Sequence, residues 1–278
     1  MWRGVLVLLH FPFLNAMNLH LQNKLALVTG STKGIGHAIA VALAAEGARV
    51  IVNGRTEASV GDAIARLRTE VPDAQVEGFA GDLSNPAQVD ALLGRFPKVD
   101  ILINNLGIFE PKPFEEIDDA EWQHFFNVNV LSGARLSRAY LPGMRAQNWG
   151  RIVFISSESG VQIPVEMIHY GVTKTALLGL SRGLAELTAG TAITVNAVLP
   201  GPTRSEGVDA FVEKLSGGQS FEAFEKTFFE TARPTSLIKR FATTQEVANL
   251  VAYVASPLSS ATTGAALRVD GGVVKSAF

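Results

Sequence analysis

Cysteine is absent from all 278 residues, which removes disulfides, zinc-thiolate sites and thiol nucleophiles from consideration. Any redox chemistry must then come from a bound cofactor. Histidine is scarce: His10, His20, His37, His124 and His169 show no ligand spacing, so no metal site is expected. Charged residues make up only 18%, and 24 basic against 26 acidic side chains leave a net charge of −2. Scattered cations with no positive excess give no footprint for nucleic acid. Long apolar runs are lacking too, so no membrane partner is expected. What the chain does have is 47% hydrophobic residues, ample for a large core. A small-molecule substrate is the expectation.

The opening segment MWRGVLVLLHFPFLNA makes a poor signal peptide, because its apolar stretch at 5–9 is short and is soon broken by His10, Pro12 and Asn15. Met17 begins MNLHLQNKLALVTG, a natural distance before a first buried strand. Residues 1–16 are expected to be a non-core extension, with a weak signal or an interaction segment as alternatives. Residues 17–278 are expected to form a single domain, located in the cytoplasm.

Short β-branched runs alternate with helical patterns from Lys24 onward. The strand candidates are 24–29, 48–53, 76–80, 99–104, 151–156, 192–198 and 266–269. Ile35, Ile39 and Leu43, then Val60, Ile64, Leu67 and Val71, recur at helical spacing between them. Strands with little polar alternation read as buried on both faces, which parallel sheets require. The fold expected is a single-domain α/β Rossmann fold: seven strands, mostly parallel and doubly wound, with helices on both faces. Residues 203–242 are rich in phenylalanine and are expected to make a helical lid over the carboxyl ends of the strands. Phe221, Phe224 and Phe228 share one helical face, which either packs the lid down or walls the substrate site.

TGSTKGIG at 29–36 follows the first strand and opens the first helix. In that context Gly30, Gly34 and Gly36 allow a tight turn and close approach to a pyrophosphate, with free helix amides supplying the positive end. Thr32, Lys33 and Ile35 complete the cofactor-contacting loop. A dinucleotide site for NAD carries an acid at the tip of the second strand. VIVNGRTE has Asn53, Gly54 and Arg55 there instead, and a guanidinium suits a 2′-phosphate. NADP(H) is therefore expected to be preferred, with Lys33 adding charge; NAD(H) stays possible, with Glu57 contacting the ribose.

Tyr170 and Lys174 stand four residues apart in YGVTK, on one face of a helix. An ammonium about 4 Å from a phenol is worth at most roughly 4 kcal/mol to the phenolate. That would bring the tyrosine towards the range useful for general acid–base work.

These motifs, in this order, resemble those of the short-chain dehydrogenase/reductase family over about residues 24–272, closest to its 3-oxoacyl-carrier-protein reductase-like branch. TGSTKGIG resembles the family's TGxxxGxG. Gly81, Asp82 and Leu83 resemble its adenine-contacting turn, and Asn104, Asn105, Leu106 and Gly107 its NNAG. Asn129, Ser157, Tyr170 and Lys174 resemble its catalytic tetrad, Ser157 lying thirteen residues before Tyr170. Pro200 and Gly201 resemble its PG turn, and 269–272 its VDGG.

The resemblance implies that Tyr170 exchanges a proton with an alcohol or ketone oxygen and that Lys174 lowers its pKa while holding the nicotinamide ribose. Ser157 would orient the carbonyl, and Asn129 would hold a water linking Lys174 to solvent. Ser156 is the alternative serine, and Asn129 in mid-helix is alternatively a capping or kink residue. Asp82, in its adenine-contacting turn with Leu83, would meet adenine, Asn105 the adjoining ribose region, and Thr203 and Ser205 the nicotinamide carboxamide, with Leu106 and Gly107 also among the cofactor-binding residues. Leu106 departs from the usual alanine. Glu158 and Glu166 are unusual beside the serine, and read either as selectors of a polar or cationic substrate group or as solvated carboxylates. The implied activity is an NADP(H)-dependent carbonyl reductase or alcohol dehydrogenase, a homo-tetramer or dimer. An NAD-linked sugar or polyol dehydrogenase, or a non-catalytic nucleotide sensor, are the alternatives.

Overall fold

Successive residues of a strand face opposite sides of a sheet, and in this chain both sides are apolar. Ala26 and Val28 of β1 (Leu25–Val28) enter one core while Leu27 enters the other. Val50 and Val52 against Ile51 in β2 (Arg49–Gly54), and Ile101 and Ile103 against Leu102 in β4 (Ile101–Asn104), divide the same way. Each buried aliphatic side chain contributes about 2 kcal/mol. Helices must therefore cover both faces, as the computed structural model shows for the residues it describes, 18–208 and 220–277. The expected extension at 1–16 lies outside the described residues.

One face carries α1 (Gly34–Ala45), α2 (Glu57–Glu70) and α8 (Thr244–Val254), through Ile39, Leu43, Leu67, Val247 and Val251. The other carries α3 (Pro86–Arg95), α5 (Ser132–Ala146) and α6 (Ile168–Leu187), through Leu92, Leu136, Met144 and Leu177. With β3 (Val76–Ala80), β5 (Gly150–Ile155), β6 (Ile193–Pro200) and β9 (Ala266–Val269), the sheet runs β3-β2-β1-β4-β5-β6-β9. Every junction is parallel. All seven expected strands are in this sheet.

The strand order reverses between β1 and β4, and such a switch point opens a crevice beyond the strands' carboxyl ends. The glycine run follows β1, NNLG runs on from β4, the serines follow β5 and the PG turn ends β6. A pair of two-residue strands, β7 (Thr203–Arg204) and β8 (Ala242–Thr243), ties the two ends of the lid segment together. Within it α7 (Phe221–Thr231) starts at Ser220, whose side chain accepts from the Ala223 amide. Phe211 and the SGG at 216–218 lie outside the described residues.

Candidate active site

The glycine turn is held from below by two asparagines. Asn53, buried at the end of β2, accepts the Gly30 amide on Oδ1 at 3.0 Å and donates from Nδ2 to the carbonyls of Phe79 and Gly81, both at 3.1 Å. Asn105 donates from Nδ2 to Thr29 O at 2.9 Å and Gly30 O at 3.1 Å. Thr29 Oγ1 accepts the amides of Asn105 and Leu106 at 2.9 Å each. Gly30 and Gly34 have φ of 60° and 56°, the left-handed region that favours glycine. A Cβ on Gly36 would stand 2.5 Å from both Asn105 Nδ2 and Gly30 O. This is a backbone cradle at a helix N-terminus, and a dinucleotide pyrophosphate fits it.

Around the cradle, Lys33 and Arg55 are exposed cations, and Thr32 is half-buried against Gly54. Ile35 and Gly36 line the cleft. The first amide of α1, Gly34 N, donates to Glu206 Oε2 at 2.9 Å, and Arg66 holds that carboxylate at 3.6 Å. Asp82 spends Oδ1 on its own turn, accepting Ser84 N and Oγ at 2.9 and 2.7 Å. The Leu83 side chain is a core residue, so only its backbone is available to a ligand. Leu106 packs against the same core. Asn105 likewise has its amide nitrogen committed to the glycine turn.

Beyond β5 the chain changes from backbone to side-chain construction. A cleft of about 510 Å³ is bounded by Ser157, Tyr170, Lys174, Gly107, Pro200, Gly201, Thr203 and Ser205, with Phe109, Phe224, Phe228 and Phe241 as an apolar wall. Of the lid face, Phe224 and Phe228 stack at 5.9 Å and reach the cleft, whereas Phe221 turns to Phe241 at 5.6 Å and Arg204. Packing accounts for Phe221, while Phe224 and Phe228 line the cleft. Thr203 Oγ1 donates to Gly201 O at 2.9 Å, closing the PG turn against Asp270.

Helix α6 places Tyr170 and Lys174 one turn apart, with the ammonium 5.5 Å from the phenol ring centre. Lys174 Nζ donates to Ile155 O at 2.9 Å. Asn129 sits in a π-turn (Asn127–Leu131) between α4 (Asp119–Phe126) and α5, and such one-turn bulges re-aim a side chain. Its amide accepts Ile108 N at 2.8 Å and donates to Ile108 O at 3.0 Å and Thr173 Oγ1 at 2.9 Å. Gly107 leaves room there: a Cβ would stand 3.3 Å from Lys174 Nζ and 3.4 Å from Asn129 Oδ1. Ser156 turns away, donating to Lys174 O at 2.8 Å, while Ser157 donates to Glu158 Oε2 at 2.5 Å and lines the cleft beside Tyr170.

Two expectations need correcting. Burial pushes the Tyr170 phenol well above its usual range, opposed by the Ser157 hydroxyl and the nearby Arg233 guanidinium, with Glu158 adding to the rise. Burial brings Lys174 itself down to about 8, which leaves it cationic near neutrality, and its ammonium donates to Ile155 O at 2.9 Å. Glu158 is not solvated: it is 4% exposed and paired with Arg233, Nε to Oε1 at 3.0 Å, while Arg233 Nη1 reaches Glu166 Oε1 at 3.1 Å. Arg233 and Asn53 carry no signal in the sequence that marks them for the site. Arg233 lies 75 residues from its partner with no spacing to betray it.

The family model described as enoyl-(acyl carrier protein) reductase matches residues 30–274. The oxidoreductase YvaG of Bacillus subtilis is 49% identical over 264 residues, covering 94% of this chain and 100% of that one. The 3-oxoacyl-[acyl-carrier-protein] reductase FabG of Escherichia coli is 32% identical, covering 92% and 99%. L-sorbose reductase of Gluconobacter frateurii, solved with NADPH and L-sorbose, superposes with a TM-score of 0.87 at 31% identity, covering 94% and 100%. With the parallel sheet, the cradle and the cleft in place, the chain belongs to the short-chain dehydrogenase/reductase family, in its 3-oxoacyl-reductase-like branch, and is a nicotinamide-dependent oxidoreductase acting on CH–OH and C=O groups.

Proposed function

We propose that this chain is an NADP(H)-preferring carbonyl reductase that interconverts a ketone and a secondary alcohol. The observation that carries the reading is the convergence of Ser157, Tyr170 and Lys174 on one cleft that opens from the glycine cradle. Bound in the cradle, the reduced nicotinamide supplies a hydride to the carbonyl carbon. Tyr170 gives its phenolic proton to the carbonyl oxygen, and Ser157 holds that oxygen in line. Lys174 holds the nicotinamide ribose, and Asn129 keeps the lysine end of the cleft in register through Ile108 and Thr173. Gly30, Thr32, Lys33, Gly34, Ile35, Gly36, Asp82, Asn105, Gly107, Pro200, Gly201, Thr203 and Ser205 frame the dinucleotide. The phenylalanine wall favours an apolar group on the substrate.

Preference for the 2′-phosphate rests on Arg55 and Lys33, the exposed cations beside the tip of β2, where no acid stands. NADPH in the L-sorbose reductase complex supports the same choice. Initial rates with NADPH and NADH over a panel of ketones, acyl thioesters, sugars and quinones test the reading. Arg55→Asp is expected to reduce the NADPH preference at least tenfold, and unchanged discrimination would remove Arg55 from the assignment. A homo-tetramer in the cytoplasm completes the reading, checked by size-exclusion with light scattering and by cell fractionation. Among the described residues no helix is long and apolar enough to cross a membrane.

A further inference from the structure

Ser157 has one hydroxyl proton, and besides the substrate oxygen two protein oxygens compete for it. Glu158 Oε2 accepts it at 2.5 Å, the length of a charge-assisted O–H···O⁻ bond, while the Tyr170 phenol on the same cleft is the acceptor the proton leaves unserved. A buried carboxylate beside a tyrosine that must carry negative charge during turnover works against that charge. Yet Glu158 is built in: Oε2 also accepts Ser159 N at 2.6 Å and Ser159 Oγ at 2.9 Å, and Oε1 accepts Arg233 Nε at 3.0 Å. Arg233 is 8% exposed, arrives on the chain just beyond α7, and lines the cleft with Phe228.

Resting on the roles just proposed for Ser157 and Tyr170, we propose that Glu158 and Arg233 are positioning residues: together they set whether the Ser157 proton points to the carboxylate or to the Tyr170 oxygen. With Arg233 seated, the guanidinium and the Ser159 donors satisfy the carboxylate, and the serine is free to turn its O–H to the tyrosine as charge develops there. Without Arg233, Glu158 keeps the serine proton and repels the phenolate. Without the Glu158 charge, the proton defaults to Tyr170. Because Arg233 comes from the segment after α7, the proton setting depends on that segment being docked at the end of β5. The charged groups facing Tyr170 are Lys174 on its own helix, Glu158 from the end of β5 and Arg233 from the lid, with Glu166 acting through Arg233. Asn129 and Phe109 are neutral neighbours.

The two charges act in opposite directions, which a merely structural pair would not do. The test is the pH profile of NADP⁺-dependent oxidation of the secondary alcohol that corresponds to the best ketone of the panel, or of 1-phenylethanol, with NADPH affinity measured by fluorescence. Glu158→Gln is expected to move the half-maximal pH down by about one unit, and Arg233→Met to move it up by about one unit. Arg233→Met should also lower kcat about 10–100-fold, with NADPH affinity unchanged, and Arg233→Lys should recover part of the loss. If Arg233→Met does not fold, Glu158→Gln/Arg233→Met removes both charges and its profile returns near wild type. Coincident profiles, or shifts in one direction for both single variants, overturn the positioning role while leaving the reductase reading intact. Full turnover by Tyr170→Phe overturns that reading, and the positioning role with it.

Discussion

The two sides of the cleft are made of different material. On the β1–α1 side the ligand would meet main chain: left-handed glycines, helix amides and a turn propped by Asn53 and Asn105. On the β5–α6 side it would meet side chains: Ser157, Tyr170, Lys174 and the Glu158–Arg233 pair. A backbone site has no charge to lose and no space to give. A side-chain site tolerates bulk nearby and fails when one charge or proton is misplaced.

The sharpest break should come on the side-chain half. Tyr170→Phe removes one oxygen, and turnover is expected to fall about 10²–10⁴-fold with NADPH binding retained, read by steady-state kinetics and fluorescence titration. The converse holds for Gly36→Ala, whose Cβ would meet Asn105 Nδ2 and Gly30 O at 2.5 Å. Forcing the turn apart costs about 1–3 kcal/mol, so NADPH affinity should weaken roughly 5–150-fold by calorimetry while the fold persists.

A third variant probes the cost of the side-chain half to stability. Lys174 binds fewer protons folded, at about 8, than unfolded, at 10.5. Below that window the folded state carries the full cost of burying the ammonium, and stability rises as pH climbs through it. Wild type should therefore gain up to about 3 kcal/mol relative to Lys174→Met between pH 8 and 10.5, measured by urea unfolding. Equal slopes would show that the ammonium is not desolvated. The smallest effect is reserved for Glu206→Gln, which removes a carboxylate from Gly34 N at the mouth of the cradle. NADPH should bind about 2–5-fold tighter at low salt, and the gain should shrink as salt screens it.

The same contrast explains what could be read from sequence. All seven strands of the sheet were visible because buried parallel strands are continuous apolar runs; their ends moved by one or two residues, 48–53 becoming Arg49–Gly54 and 151–156 becoming Gly150–Ile155. The cradle was visible because its chemistry lies in consecutive residues, and glycine spacing is the mark of main-chain contact. The electrostatics were not. A lysine one turn from a tyrosine is legible as a spacing, but its burial, its lowered pKa and its bond to Ile155 O come from packing. Glu158 looked exposed because its partner arrives from a different part of the chain. The π-turn at Asn129 and the β7–β8 tie are products of packing, with no periodicity of their own.

The strand order also sets a timetable for folding. Thr29 N reaches Ile103 O, and their side-chain-assisted pairing spans 74 residues, so the crevice between β1 and β4 cannot exist until distant segments have met. Pairings of that range make folding slow. During synthesis the glycine cradle can close once Asn105 has emerged, and Ser157 and Tyr170 come after it. Arg233 and the last strand arrive near the end of the chain. A polypeptide halted before residue 233 would lack both the helix that covers α1 and the guanidinium that pairs with Glu158, so the two halves of the cleft are completed together by the last part of the chain.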